Sequence, residues 1–500
     1  MNKVVETFLT RLTYGESENI KKETGTNGVI ETLARVYERA RNALEYRADH
    51  LVRRAAIERI VKRRLILDKD PKSVAKHLLT ELKWARYLSY VEIDQRLSAR
   101  LEETLAKYIS HLDGEPSSDW VTKIISAEIE ELFNLNTDYN DFSLLAFQVI
   151  RQKVQISDEN ADLLIFFAID KVYAASDDEQ IAYHILKLAG DPVDKEKLNE
   201  AYRLFNLAKN HKDLSRIIKF VRRQMPPLVL LRDIYFYSPS DFRKTLSDHE
   251  TFSKQASEVL EHQLTQMSGR IQTAGVRSII YVFLTKMIVA IGLEIPFEIF
   301  FLGGVSKLSL VINLVFPPVL MWATTLQNHL PNEREKEDLL ERSWLILEKF
   351  DSLKDESDRL TDKVEEKTSL AYTVFSSLYL IVFVTIFGLI YYTLGQIGFS
   401  FASKIVFVFF LTIIAFFAYR ISQIAKVYLW KGTSDRSNFG DIISLPILAI
   451  GSRLSRGLAK LNFLAFTFDF ILEAPFKIIL GFLDSWVQFL SIKKEEEIIE

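Results

Sequence analysis

Residues 368–403 read TSLAYTVFSSLYLIVFVTIFGLIYYTLGQIGFSFAS and contain no Asp, Glu, Lys or Arg. An α-helix crosses the hydrocarbon core of a bilayer with about 20 consecutive apolar residues. This run is therefore long enough for two crossings, and Gly395-Gln396-Ile397-Gly398 supplies a turn between them. We predict one span at about 371–394 and a return span at about 401–424.

A second pair of apolar segments precedes this run. Residues 308–332 are uncharged and are interrupted by Pro317-Pro318. Before them lies IIYVFLTKMIVAIGLEIPFEIFFLG (279–303), which is strongly apolar although it carries three charged residues. We predict spans at about 279–302 and about 307–327.

The distribution of Lys and Arg predicts which side of the membrane each segment faces. Four spans place the N-terminus, loop 328–369 and the C-terminus on one side. That side is rich in Lys and Arg, whereas the two opposite turns contain only Lys307 and Lys404. The positive-inside rule therefore predicts a multi-pass protein of the cell membrane with both termini in the cytoplasm. No apolar core of about 7–15 residues lies near Met1, so no secretory signal is expected.

Residues 1–275 have the apolar spacing of successive helices. Only 18 Gly and 12 Pro occur in 500 residues, and this shortage of turn residues disfavours sandwiches, barrels and propellers. We predict helices over 29–67, 72–89, 91–111, 118–134, 140–156, 159–174, 178–189, 193–210 and 213–224. The predicted fold class is all-α: a cytosolic helical bundle or irregular solenoid joined to a helical transmembrane domain of about four spans, with an amphipathic C-terminal tail.

Charge and composition divide the chain further. Residues 1–112 are basic, with 22 Lys and Arg against 16 Asp and Glu, and residues 113–275 are acidic, with 19 against 26. A transmembrane domain follows over 276–430, and it contains a charged helical hairpin at 328–369. The interfacial tail covers 431–500. A single helix from about Asp248 to Glu294, about 70 Å long, is expected to enter the membrane.

Basic side chains in two segments are candidates for contact with an anionic surface: Arg53, Arg54, Arg63, Arg64, Arg453, Arg456 and Lys460. For the first four, the favoured interpretation is a solvated helix face with ion pairs four residues apart. Binding to anionic lipid is the alternative. Nucleic-acid binding is not expected, because glycine-rich loops, interleaved aromatic residues and known modules are missing.

The tail has two amphipathic parts. Residues 441–461 place basic side chains on one helical face and leucines on another, which is typical of a helix lying in the membrane interface. Residues 462–490 carry polar side chains on one narrow stripe. This second part either lies flat or forms a fifth span, and we favour the flat arrangement.

Several kinds of chemistry are excluded or unsupported. The chain has no Cys, which rules out disulfides, thiolate nucleophiles and cysteine-ligated zinc or iron–sulfur clusters. It has no Walker A, GxGxxG, GxSxG or HExxH motif, and its eight His are scattered. We therefore expect no catalytic or metal-ligating residues and no cofactor.

Polar residues inside the apolar half are candidate intramembrane sites: Lys286, Glu294, Glu298, Asp469, Glu473 and Lys477. An ionised residue at the centre of a bilayer costs about 2.5–3.5 kcal/mol on insertion scales. One interpretation is an ion or substrate path in which Lys286 pairs with Glu294 or Glu473. The other, which we favour from sequence, is that Lys286 reaches the interface and the glutamates lie at the opposite one.

Three strings resemble a family of uncharacterised bacterial multi-pass membrane proteins: VRSIIYVFLTKMIVAIGLEIPFE (276–298), NLVFPPVLM (313–321) and FDFILEAPFK (468–477). The resemblance covers about 276–490 and implies membrane topology only, since no activity is attached to the family.

The function expected from sequence is that of an interaction or scaffold protein without enzymatic activity of its own. Its expected partners are the lipid bilayer and either other proteins or a second copy of itself. A channel or transporter that uses the polar residues at 286–298 and 469–477 is the alternative, and a membrane enzyme is the third possibility.

Overall fold

A computed structural model describes residues 6–8, 49–85, 87–88, 95–112, 116–133, 138–190, 193–302, 304, 307–326, 330–350, 353, 358–361, 369–425 and 427–430. The described part of the chain is about 83% helical with almost no strand, so the expected all-α class is confirmed. The predicted tail, 431–500, and the first part of the predicted basic helix, 29–48, lie outside the described residues.

The described residues belong to two compact units. Unit 1 contains the described residues up to Arg222 and those of 351–360, and unit 2 contains those of 223–350 and 361–465. The sequence placed a boundary near 275 instead. The unit boundary falls earlier because the polar first half of the long helix packs with the helices of unit 2.

Unit 1 is built from short helices. They are α1 (Asp49–Leu67), α2 (Pro71–Trp84), α3 (Gln95–Ile109), α4 (Ser118–Phe133), α5 (Asp138–Lys153), α6 (Ala161–Val172), α7 (Asp178–Ala189) and α8 (Lys195–Lys209). Helix α4 contacts α1, α3 and α7, so it lies inside this unit. A strand, β1 (Val154–Gln155), pairs with β2 (Leu360–Thr361) in a minimal sheet.

The starts of these helices follow from capping residues in the sequence. Asp70 accepts a hydrogen bond from the backbone N–H of Ser73 at 3.0 Å, immediately before Pro71 opens α2. Asp177 and Gln180 form a reciprocal capping box at the start of α7. Such caps satisfy backbone N–H groups that have no partner within the helix. The predicted bounds of α7, 178–189, therefore match the structure.

Helix α9 (Leu214–Tyr237) is longer than predicted. The sequence suggested an end at 224, before Pro226-Pro227, because a proline in a helix removes a hydrogen bond and crowds the preceding turn. Both prolines instead lie inside the helix. Apolar side chains on either side of them are buried, including Met225 and Leu228, and this packing outweighs the local cost.

The longest helix of unit 2 begins in polar sequence and ends in apolar sequence. After the short α10 (Phe242–Thr245), α11 (His249–Val289) continues through a π-turn (Ala290–Glu294) into α12 (Ile295–Leu302). Asp248 caps it by accepting a hydrogen bond from the N–H of Thr251 at 2.8 Å. The predicted continuous helix is confirmed, and it is about 80 Å long at about 1.5 Å per residue.

The other helices of unit 2 are α13 (Lys307–Leu326), α14 (Glu333–Glu348), α15 (Ser369–Gln396) and α16 (Phe401–Ala425). Helices α11, α13 and α16 pack on one another, and α15 packs on α16. Three helical stretches are long and apolar enough to cross a membrane: His249–Phe301, Lys307–Thr325 and Ser377–Gln396. Within α16 the apolar stretch is the shorter Phe401–Ala415.

The charged hairpin predicted over 328–369 is only half correct. Its first arm is α14, but Leu360–Thr361 forms β2 instead of belonging to a second helical arm. The side chain of Leu360 is buried at this strand. Backbone pairing with β1, far away in the sequence, therefore decides the local structure here.

Candidate functional site

A buried ion pair lies among the apolar helices of unit 2. The Lys286 ammonium group on α11 lies 2.5 Å from the Glu294 carboxylate, and the two side chains are 0% and 2% exposed. The sequence favoured a Lys286 that reaches the interface with glutamates at the opposite one. The structure corrects this expectation, because Lys286 turns to a carboxylate inside the helix bundle.

The π-turn explains why the two residues meet. They are eight positions apart, which in a regular helix leaves them about 80° apart around the axis. A π-turn takes more residues per turn and so removes most of that angle. Because Ala290–Glu294 adopts this geometry, Glu294 comes close to the face that carries Lys286. The sequence gives no signal for the π-turn.

Two further helices complete this cluster. Asn313 on α13 donates a hydrogen bond from Nδ2 to Glu294 Oε2 at 2.8 Å, and it is 1% exposed. The ammonium group of Lys286 lies 4.9 Å from the centre of the Phe410 ring on α16. Asn313 was not predicted from the sequence, although an amide side chain within an apolar run is a usable signal. Asn313 Oδ1 is buried and has no hydrogen-bond partner among the described residues.

Glu298 forms a second polar group one helical turn further on. Its Oε1 accepts hydrogen bonds from Ser403 Oγ at 2.7 Å and from Ser400 Oγ at 3.0 Å. The Glu298 residue is only 5% exposed. Within the described part of the chain, no Lys or Arg forms an ion pair with Glu298. Among the described residues, two hydroxyl groups thus hold this carboxyl group.

The polar residues of the tail cannot be placed beside this cluster. Asp469, Glu473 and Lys477 lie outside the described residues, so pairing between Lys286 and Glu473 stays a prediction. The partner that the structure gives Lys286 is Glu294.

The basic candidates at the start of α1 have acidic partners inside unit 1. Arg53 forms two hydrogen bonds to the carboxylate of Glu130, at 2.8 and 2.7 Å. Arg54 is 2% exposed and donates to Asp177 at 2.6 Å and to Ser126 at 2.9 Å. Burial on its own would lower the pKa of Arg54, but Asp177 and two glutamates outweigh it and raise that pKa. Both guanidinium groups therefore join helices of the fold.

The remaining basic candidates fall into two groups. Arg63 and Arg64 both contact the buried carboxylate of Glu81 on α2, and Arg64 does so at 2.7 Å. Their side chains are 38% and 27% exposed, so each still reaches the surface of the unit. The tail candidates lie outside the described residues: Arg453, Arg456 and Lys460.

A charged network around His184 joins α4, α6 and α7. His184 Nδ1 lies 2.7 Å from Asp170 Oδ2, and Nε2 lies 3.5 Å from Glu131 Oε2. Burial favours the neutral imidazole, but the two carboxylates outweigh it and raise the pKa of His184 to about 10. Burial would likewise raise the pKa of Glu131, yet His184 and Lys187 lower it to about 2. The described residues contain no cluster of three or more His, Asp or Glu suited to a metal ion.

Two contacts fasten the polar end of unit 2. The Tyr428 hydroxyl, which follows α16, donates to Asp233 on α9, and burial followed by the Asp233 charge raises the pKa of Tyr428. Lys336 on α14 pairs with Glu261 on α11. The segment that leaves α13 thus returns to the polar half of the long helix, and the segment that leaves α16 returns to α9.

Comparisons with known proteins add no relative. No protein-family profile, curated protein or solved structure matches the chain. The resemblance of 276–490 to uncharacterised bacterial membrane proteins stays a prediction.

Proposed function

We propose that this protein is a four-span helical membrane protein with a cytosolic helical domain, and that it serves as an interaction or scaffold protein of the cell membrane. The observation that carries this proposal is the unbroken helix from His249 to Leu302, which passes from polar into apolar sequence. A continuous helix of this length ties the polar helices mechanically to the apolar ones.

The outward faces of the apolar helices support embedding in a bilayer. On α15, Leu380, Val384 and Leu389 are 61%, 61% and 64% exposed, and on α12 Phe300 is 85% exposed. Soluble monomers rarely expose contiguous apolar patches larger than about a few hundred Å². Lipid chains remove the cost of exposing such a surface to water.

Contacts at the two ends of unit 2 support four crossings. At the polar end, α14 contacts α11 and the residues after α16 contact α9. At the other end, Glu298 on α12 is hydrogen-bonded to Ser400 and Ser403 at the start of α16. These contacts are consistent with four helices that cross in alternating directions: the long helix, α13, α15 and α16. Together with the Lys and Arg at the polar end, this arrangement favours a cytoplasmic polar end.

The proposed interaction role is based on the surface that the cytosolic helices present. Helical domains built from successive short helices present extended surfaces to other proteins. The side chains with clear chemistry in unit 1, such as Arg54 and His184, are held in ion pairs that join helices. We therefore assign unit 1 to protein contact, with the partner unidentified.

Reporter fusions test the topology. Fusions after residue 350 and at the C-terminus should report the cytoplasm, and fusions at 304 and 398 should report the outside. A C-terminal reporter on the outside would show that 462–490 forms a fifth span, contrary to the flat arrangement.

Purification tests the interaction role. The full chain, solubilised in mild detergent, should carry a stoichiometric protein partner or a second copy of itself. A tagged four-span membrane protein that lacks a cytosolic domain is the matched control. A monodisperse monomer with no partner at stoichiometric level would contradict the scaffold proposal.

A second candidate function is ion or proton transfer. It is favoured by one observation, the buried cluster of Lys286, Glu294 and Asn313 within the apolar helices. Ionisable residues inside a membrane-spanning bundle are functional-site candidates by default.

A further inference from the structure

We propose that Glu298, Glu294 and Lys286 form a proton-transfer column that opens at the end of unit 2 where α12 meets α16. The proton is thus the species transferred in the second candidate function, and this proposal rests on the four-span topology. Reporter fusions test that topology independently, so failure of the column and failure of the topology are distinguishable.

Glu298 is the proposed entry to the column. Its carboxyl group is nearly buried and is held by Ser400 and Ser403, with no described cation in an ion pair. Burying a polar group is costly unless the group is hydrogen-bonded, and the two serine hydroxyl groups supply hydrogen bonds to this carboxyl group. A hydroxyl group both donates and accepts hydrogen bonds, so the two serines can hold Glu298 in either protonation state.

Glu294 is the next group in the column. It lies four residues before Glu298, which places the two carboxyl groups on neighbouring turns of the helix. Asn313 donates to Glu294 Oε2 while its own Oδ1 has no described partner. Rotation of the amide by half a turn would present Oδ1 to a protonated Glu294. Asn313 can therefore serve both protonation states of this carboxyl group.

Lys286 completes the column in direct contact with Glu294. The two groups are in direct contact, so transfer of a proton from the ammonium group to the carboxylate would convert the ion pair into a neutral amine and a carboxylic acid. This exchange leaves the net charge of the pair at zero, so it adds no charge to the apolar interior. Toward the polar end, the next buried polar side chain on α11 is Ser278, at 4% exposure.

One transfer cycle balances in protons and charge. A hydronium ion at the open end gives a proton to the Glu298 carboxylate and leaves water. Glu298 passes a proton to Glu294 and becomes a carboxylate again. Lys286 releases its proton to a water molecule at the polar end, which becomes hydronium, and takes the proton of Glu294, which restores the ion pair. One proton has moved, no bond between heavy atoms has changed, and no oxidant or reductant is needed.

The other charged groups of the packed helices leave this column undisturbed. Lys307 on α13 is exposed, and the Lys404 ammonium group on α16 lies 4.1 Å from the centre of the Tyr391 ring on α15. Neither forms an ion pair with Glu298 in the described structure. The remaining charged residues of α11 and α16 lie toward the polar end, and the nearest to the column on each helix are Arg277 and Arg420.

Proton flux into vesicles tests the proposal. The full chain is reconstituted into phosphatidylcholine–phosphatidylglycerol vesicles that contain a trapped pH dye, and a potassium gradient with valinomycin supplies the driving force. We expect flux well above that of protein-free vesicles, and Glu298→Gln should lower it about 100-fold or more, the loss typical of removing one acid–base group. Glu341→Gln, which changes an exposed carboxylate on α14, should leave the flux unchanged.

Further variants keep the test decisive. Glu298→Asp retains a titratable carboxyl group and should carry more flux than Glu298→Gln, with both variants checked for helix content and elution volume in detergent. Equal flux in the two variants, unchanged flux in Glu298→Gln, or wild-type flux no higher than in protein-free vesicles would each overturn the proposal. Replacing external sodium with choline should have no effect. If the flux disappears when sodium is removed, the site carries the sodium ion instead of the proton.

Discussion

Substitution of Lys286 gives the sharpest test of the buried ion pair. Lys286→Met keeps the length and much of the volume of the side chain but removes its charge. Glu294 would then remain buried at 1% exposure with the Asn313 amide as its described donor. The loss should therefore come from the stranded carboxylate, and the packing should change little.

The expected size of the loss follows from burial. Breaking a fully buried pair by removing one partner costs about 3–5 kcal/mol, whereas replacing both partners is often close to neutral. We expect Lys286→Met and Glu294→Gln each to lower the free energy of unfolding by about 3–5 kcal/mol. The double variant should lose no more than either single variant, so the coupling between the two positions should be at least about 3 kcal/mol.

Equilibrium unfolding in mixed micelles measures these differences. The wild type, both single variants and the double variant are titrated with sodium dodecyl sulfate, and the loss of helix is followed by circular dichroism. Lys307→Met is the matched control, because Lys307 is exposed and its replacement should change stability by less than about 0.5 kcal/mol.

Additivity would refute this reasoning. If the losses of the two single variants sum to that of the double variant within about 0.5 kcal/mol, Lys286 and Glu294 are not coupled. A neutral or stabilising Lys286→Met would show that the lysine reaches the interface, as the sequence alone favoured.

Two other predictions concern helix packing and pH. A Cβ at Gly275 on α11 would overlap the Thr325 methyl group on α13. Gly275→Ala should therefore lower the free energy of unfolding by about 1–3 kcal/mol. Adding Thr325→Ser, which removes that methyl group, should restore part of the loss in the same unfolding assay. Gly269→Ala is the control: no atom lies within 4 Å of its Cβ, so it should stabilise the helix by about 0.5–1 kcal/mol, and equal losses at both glycines would contradict the close approach. In the folded protein the pKa of His184 is raised to about 10. The charged His184 therefore contributes its full stabilisation of the fold below the unfolded pKa of about 6.5, and this contribution is lost as the pH rises toward 10. Between pH 7 and pH 10, the free energy of unfolding of the wild type should therefore fall by up to about 1.4 kcal/mol per pH unit more than that of His184→Gln, as measured by thermal unfolding. Identical pH profiles of the two proteins would show that the network is not charged.

Periodicity, composition and capping residues determined most of the helical fold. The spacing of apolar residues and local signals such as Asp177 placed many helices of unit 1 within a few residues of their observed bounds, because caps and amphipathic faces are local properties of the chain. Hydropathy likewise found the stretches that are long and apolar enough to cross a membrane. It also singled out Lys286, Glu294 and Glu298, since charges within apolar runs are conspicuous.

Tertiary structure decided how these residues are used. Whether Lys286 reaches the interface or pairs with Glu294 depends on a π-turn and on Asn313 from another helix, and neither can be read from spacing along one helix. The passage of α9 through Pro226-Pro227 depends on burial of its neighbours, and the strand at Leu360 depends on a partner far away in the sequence. The pairing of β1 with β2 and the Asn313 hydrogen bond join separate elements, and the π-turn has no signal in the sequence, so their free energies are absent from any local pattern.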